Sequence, residues 1–261
     1  MGSSRRSIPR VIPVLLIKDQ ELTKTIEFGD ETYVGDPINA VRVFNEKEVD
    51  EIVILDIDAS PENRGPRFQA IEEIASEAFM PLTYGGGVSK IEEVEALFRS
   101  GVDKVCLNTV CYENLGLVSE AAAIFGSQSI IASVDVRHPT PGEFELFSAS
   151  GTKRQSVDLI QHLSDLEKAG IGEIIINSID RDGRMDGYDL ELIRVASEAT
   201  SVPVVALGGC GKAEDLNLAI SAGASAAAAG SFFVFFGKFR AVLITYPSRV
   251  QLMSLFEHAP A

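Results

Sequence analysis

Glu51-Ile-Val-Ile-Leu-Asp-Ile-Asp58 returns later in the chain as Glu173-Ile-Ile-Ile-Asn-Ser-Ile-Asp180. Pro81-Leu-Thr-Tyr-Gly-Gly-Gly87 returns as Pro203-Val-Val-Ala-Leu-Gly-Gly209, and the stretch Ser100–Thr109 returns as Ala222–Ser231. Each pair lies about 122 residues apart (51 to 173, 81 to 203, 109 to 231). A period of that length is half a domain, not a solenoid repeat. Two fused halves, each ending a strand in a Gly-rich turn, place two similar anion sites on opposite sides of one cavity. The expected ligand is therefore long and phosphorylated at both ends.

Outward from the repeat, apolar β-branched runs alternate with amphipathic segments. The runs are 10–17, 51–57, 80–84, 104–108, 129–135, 173–177, 202–207 and 225–230. They are short and continuously apolar, as strands of a parallel sheet covered on both faces should be. Helical periodicity fills 37–48, 64–78, 89–100, 115–125, 155–170, 189–200, 212–222 and 249–258. Asp36-Pro37 joins a cap to an N1 proline, and Ser89-Lys-Ile-Glu92 has capping-box spacing. Eight strands and eight helices with two-fold repetition predict a single (β/α)₈ TIM barrel built from duplicated half-barrels at about 8–125 and 126–258. A doubly wound sheet is the fallback. Three connections exceed turns: Lys18–Gly35, a functional lid or disordered loop; His138–Thr152, a small hairpin; and Phe235–Ser248.

The 261 residues suit one large α/β domain, and 46% hydrophobic content suffices for its core. A net charge of −15 argues against a nucleic-acid partner, which would need clustered Lys and Arg. Phosphate binding is compatible with that charge, because backbone amides at helix N-termini supply local positive potential. Cys106, Cys111 and Cys210 lack CxxC spacing, and His138, His162 and His258 form no ligand cluster, so no metal and no cofactor is expected. No apolar run is long enough to span a membrane, and Arg5, Arg6 and Arg10 precede no cleavage-like site. Met1-Gly-Ser-Ser reads as a leader or a loose start, and cytoplasmic is the expected compartment.

For chemistry, the turns at Gly86-Gly87 and Gly208-Gly209 come first, each followed at the next strand end by a polar pair, Asn108-Thr109 and Gly230-Ser231. Glycine lets backbone amides approach a phosphate closely. Carboxylates at strand ends come next: Asp135 after strand five, Asp56 and Asp58 after strand two, Asp180 and Asp182 after strand six. Asp135 is the candidate general acid or base, against the plain alternative of a helix cap or loop ion pair. At the opposite ends, Arg10, Glu51, Lys104 and Glu173 each start a strand. Singly they read as solvated strand starters, and together as a salt-bridge ring across the barrel bottom.

With Asp36-Pro37, Pro81…Gly87, Asp103-Lys-Val…Asn-Thr109, Phe125-Gly-Ser-Gln128, Ser178-Ile-Asp-Arg-Asp-Gly183, Gly187-Tyr-Asp189 and Ala206…Gly-Gly-Cys-Gly211, the chain resembles HisF over nearly its whole length. HisF is the cyclase subunit of imidazole glycerol phosphate synthase. The resemblance implies a HisH-type glutaminase docked at the barrel bottom, near Asp103, and ammonia passing a gate at Arg10, Glu51, Lys104 and Glu173. It also implies Asp135 as one catalytic aspartate, Lys24 as the lysine of the flexible loop, and phosphate contacts at Gly86, Gly87, Asn108, Thr109, Asp182, Gly183, Gly208, Gly209, Gly230 and Ser231. The family's other catalytic aspartate belongs to a strand-one pattern Pro-Cys-Leu-Asp-Val-Lys-Asp. Here that stretch is Pro13-Val-Leu-Leu-Ile-Lys-Asp19, with Leu16 in the aspartate's place. Losing one general acid or base typically costs about 10²–10⁴ in rate. Leu207 and Asn177 depart from the family's serine and threonine as well.

Tyr33-Val-Gly-Asp-Pro-Ile-Asn-Ala40 and Phe236-Gly-Lys-Phe-Arg-Ala-Val-Leu-Ile-Thr-Tyr-Pro-Ser248 resemble a HisF-like subfamily tied to acetamidino sugars of surface polysaccharides. That resemblance implies ammonia supply to a separate sugar amidotransferase. The alternatives are an active cyclase, converting PRFAR plus ammonia to imidazole glycerol phosphate and AICAR in histidine biosynthesis, and a non-catalytic scaffold that binds a phosphorylated ligand and regulates a partner. The isomerase relative HisA shares the duplicated barrel, but the gate quartet favours HisF.

Overall fold

The computed structural model describes residues 8–257. The expectations placed on Met1–Ser4, Arg5, Arg6 and His258 lie outside the described residues. Eight parallel strands close on themselves: β1 Arg10–Lys18, β2 Ile52–Asp56, β3 Leu82–Gly85, β4 Lys104–Leu107, β5 Ile130–Thr140, β6 Glu173–Ser178, β7 Val204–Leu207 and β8 Ala226–Ala229. Each pairs with its sequence neighbours, and β8 with β1 (Arg10 beside Ala226, Ile12 beside Ala228) completes the circle. The outer ring is α1 Pro37–Glu46, α2 Phe68–Ala75, α3 Ile91–Arg99, α4 Leu115–Phe125, α5 Leu159–Ala169, α6 Leu190–Ala199, α7 Ala213–Ser221 and α8 Arg249–Glu257. The (β/α)₈ barrel expected from the repeat is the fold. None of the described helices is long and apolar enough to cross a membrane.

Strand alternation sorts the apolar residues into two cores. Ile12 and Val14 of β1 join Val53, Cys106, Ile131, Ile175, Val205, Leu207, Ala226 and Ala228 inside the barrel, with Leu16 and Leu55 packed at its upper end. Val11, Leu15 and Ile17 face outward into the layer between sheet and helices. Both faces of each strand are covered, so the strands read as unbroken apolar runs. Each fully buried Val, Leu or Ile contributes about 1.5–3 kcal/mol.

Helix starts are chemically marked. Asp36 accepts the Asn39 amide at 2.7 Å ahead of Pro37, and Asp189 accepts that of Leu192 at 3.0 Å. The expected box at α3 is shifted by one residue. Glu93, not Glu92, accepts the amides of Ser89 (2.7 Å) and Lys90 (3.1 Å), because the helix begins at Ile91.

The segment Lys18–Gly35 corrects the reading of it as a loop. Strands Glu21–Ile26 and Gly29–Gly35 form an ordered hairpin, and the first of them continues antiparallel along β1 (Leu16 beside Thr23). Its tip puts Glu27 (φ 54°) and Phe28 (φ 63°) in left-handed backbone. The expected hairpin after strand five is present, with β5 running on to Thr140 and pairing with Glu143–Ser148. Phe235–Phe236 and Ala241–Val242 make a small ladder after β8.

Candidate active site and axial charge ring

At the N-terminal ends of the strands the four predicted charges meet. Glu51 accepts from Arg10 at 2.6 Å and from Lys104 at 2.8 Å, and the Thr83 hydroxyl donates to it at 3.1 Å. Glu173 pairs with Arg10 and lies 3.5 Å from Lys104. Two cations and two anions alternate, so the ring is locally neutral and closed across the axis. Both carboxylates are buried, while Arg10 and Lys104 keep an edge toward solvent. Asp103, exposed beside this ring, accepts the Leu82 amide at 2.8 Å. Above the ring runs the apolar interior column.

At the other end the column opens into a cavity of about 1010 Å³, counting its mouth. Asp135 projects into it from β5. Its carboxylate accepts from Ser133 (3.2 Å), Asn108 (3.2 Å) and Asn177 (3.4 Å). Burial raises its pKa to about 7, against the Ser133 and Asn177 hydrogen bonds that hold it down. A carboxyl poised near neutrality suits proton transfer. Lys24, carried in by the hairpin, is the one cation lining the cavity among the described residues. Its ammonium donates to the Val14 carbonyl at 2.5 Å, and burial lowers its pKa to about 8. A side chain at Gly230 would collide with this ammonium, a Cβ there coming within 2.6 Å of Nζ.

The other expected carboxylates divide. Asp56 lines the cavity but is held bidentately by Arg64 (2.7 and 2.8 Å). Asp182 also lines it, accepting from Thr25 at 2.9 Å. Asp58 accepts the Asp19 amide, and Asp180 binds Arg137 and the His138 amide, both outside the cavity. Leu16 stands at the cavity wall with Leu55 and Leu207, so β1 itself contributes no proton-transfer side chain to the cavity among the described residues. Asp19 is exposed and does not line it.

The predicted phosphate contacts come together unevenly. Gly86, Gly87, Asn108, Thr109, Gly230 and Ser231 border the cavity, and short helices start at Thr109 and Ser231. Gly208, Gly209 and Gly183 do not border it. A Cβ on Gly209 would come within 2.2 Å of the Gly187 carbonyl, so the second glycine turn is used to pack the loop after β6. Gly183 instead receives the hairpin, a Cβ there meeting the Thr25 carbonyl at 2.0 Å.

Sequence reasoning passed over Ser133, Thr25, Phe28 and Ser60, which also line the cavity. Ser133 was legible: two residues before Asp135 on a strand, it shares that residue's face. Phe28 was not, because it reaches the cavity only through the hairpin. The hairpin tip meets the connection after β5, where a Cβ on Gly151 would lie 2.8 Å from the Phe28 ring.

The sequence profile of the histidine biosynthesis protein family matches residues 10–240. A Pseudomonas aeruginosa protein named as a candidate imidazole glycerol phosphate synthase subunit, hisF2, is 49% identical over 91% of this chain and 95% of its own. A Vibrio vulnificus protein named likewise, hisF3, is 46% identical over 92% and 93%. The imidazole glycerol phosphate synthase subunit HisF of Corynebacterium urealyticum is 38% identical over 87% and 90%.

Proposed function

The chain belongs to the histidine biosynthesis protein family, as a HisF-like member, and within it we propose that this barrel conducts ammonia from a HisH-type glutaminase to a separate sugar amidotransferase. The amidotransferase would use that ammonia to build the acetamidino group of a surface-polysaccharide sugar. One observation carries this reading. The closed charge ring and the apolar column above it are complete, whereas Leu16 leaves Asp135 without a second proton-transfer group on β1.

Neutral ammonia is small and weakly solvated compared with ammonium, so an apolar column favours its passage over that of ions. Arg10, Glu51, Lys104 and Glu173 would gate its entry, and Asp103 would contact the glutaminase. The stretches 33–40 and 236–248 support the sugar-modifying branch through the resemblance they carry. At the mouth, the amides around Gly86, Gly87 and Thr109 with Lys24 would hold a phosphate of a small molecule.

The second reading is a working cyclase. Asp135, with its pKa near 7, and Lys24 in the cavity favour it. The deciding assay gives the purified chain PRFAR with excess ammonium, beside Asp135→Asn. The expected result is no turnover, together with stimulated glutamine hydrolysis when a HisH-type partner is added. Turnover that disappears in Asp135→Asn would instead make the chain a cyclase.

A further inference from the structure

Outside the barrel wall a second cleft lies between α1, α2 and the strands β1 and β3. It encloses about 550 Å³, counting its mouth, and takes no part in the function proposed above. Its wall is apolar at Ile17, Ile71 and Ile74.

Two groups in this cleft lack partners. Tyr84 is 2% exposed, yet its hydroxyl meets no hydrogen-bond partner among the described residues. Buried hydroxyls are almost always satisfied, so an orphan beside a cleft points to something that enters it. The Arg67 guanidinium, half-buried at the start of α2, makes no ion pair or hydrogen bond among the described residues. Opposite charges line the same space. Asp36 uses one carboxylate oxygen on the Asn39 amide, and Glu73 uses one on Gln69 at 3.2 Å, which leaves each with a second oxygen. A simple anion would be repelled by Asp36 and Glu73, and a simple cation by Arg67. Asp56 also lines the space but is already held by Arg64, so a molecule with both charges, bridged by a short apolar body, complements the charges left over.

We propose that this cleft binds a free α-amino acid with an apolar side chain and that the bound amino acid braces the hairpin carrying Lys24. The carboxylate meets Arg67 and the Tyr84 hydroxyl, the ammonium meets Asp36 and Glu73, and the side chain lies on the isoleucines. Ile17 and Gln20, which also line the cleft, form the root of that hairpin. Asp56 lines both this cleft and the main cavity.

Calorimetry of the purified full chain with L-isoleucine, N-acetyl-L-isoleucine and L-isoleucine methyl ester tests the proposal. The expected result is saturable binding of L-isoleucine tighter than about 1 mM, weakened roughly tenfold or more by either derivative. Tyr84→Phe removes only a hydroxyl that has no partner, so it leaves the fold intact. It and Arg67→Met should each weaken binding roughly tenfold. No saturable heat up to about 10 mM, or binding unchanged in both variants, overturns the site. Hydrogen exchange at 21–26 should slow on addition of L-isoleucine, and binding without that slowing overturns the bracing. No glutaminase enters these measurements, so their failure is separate from failure of the ammonia reading.

Discussion

At the scale of the residue, the proposed loss of cyclase chemistry turns on Leu16 and Asp135. Leucine neither gives nor takes a proton, so Leu16→Asp should restore measurable PRFAR turnover with ammonium, toward the roughly 10²–10⁴ that a general acid or base contributes. The gain should vanish in Leu16→Asp/Asp135→Asn, as read by loss of substrate. No gain would mean that the cavity no longer seats the substrate. Asp135 also sets a pH dependence of stability. Its folded pKa, about 7, lies above the ordinary carboxylate value near 4, so the unfolded chain loses this proton first. Its stabilising contribution is present below about pH 4, declines as pH rises, and is gone above about pH 7. Asp135→Asn should therefore gain stability relative to the parent at pH 8, on the order of a few kcal/mol, and little at pH 4. Urea midpoints at the two pH values check it.

At the scale of the element, the hairpin Glu21–Gly35 decides what the cavity contains. It delivers Lys24 and Phe28, and it is tied down by the Thr25 hydroxyl on Asp182 and by the Glu27 amide on the Asp182 carbonyl (3.0 Å). Thr25→Val removes the first tie and leaves a buried carboxylate short of a donor, a cost of about 1–3 kcal/mol. Amide exchange over 21–26 should accelerate roughly five-fold or more, measured by mass spectrometry. No sequence signal announced this hairpin. Tight two-residue turns of this kind are usually Asn-Gly or Asp-Gly, and here Glu27-Phe28 takes the left-handed backbone with ordinary side chains. The contacts to Asp182 and Gly151 hold it there, and those lie more than a hundred residues away. The glycine turns show the reverse limit. Their positions in the strand-to-helix connections were legible, but only packing reveals that Gly86 borders the cavity while Gly209 lies beneath the Gly187 loop.

At the scale of the whole molecule, the closed ring and apolar column join two faces of one barrel. Lys104→Ala breaks two of the four ion pairs and leaves Glu51 and Glu173 facing each other across Arg10. With a HisH-type glutaminase and the amidotransferase present, glutamine hydrolysis should continue while amidated product per glutamate falls several-fold. Unchanged coupling would remove the ring from the path. Removing one member of a buried ion-pair group costs up to about 3–5 kcal/mol; Lys104, whose side chain is 21% exposed, should cost less, visible as a lowered melting temperature. The sequence alone determined the barrel, the charge quartet and the places of the eight strands, except that strand five runs on to Thr140, while Leu16 in an aspartate's place is what the resemblance to HisF implies. The barrel, its strands and the charges at their starts follow from local periodicity and from a duplication that repeats each pattern at a fixed distance. Only the tertiary structure decided that the quartet is closed, that Lys24 is buried in the cavity, that Asp56 is held by Arg64, and that Tyr84 and Arg67 share a cleft without partners among the described residues. Each depends on which side chains meet after distant strands close into a circle, and neither spacing nor composition carries that distance.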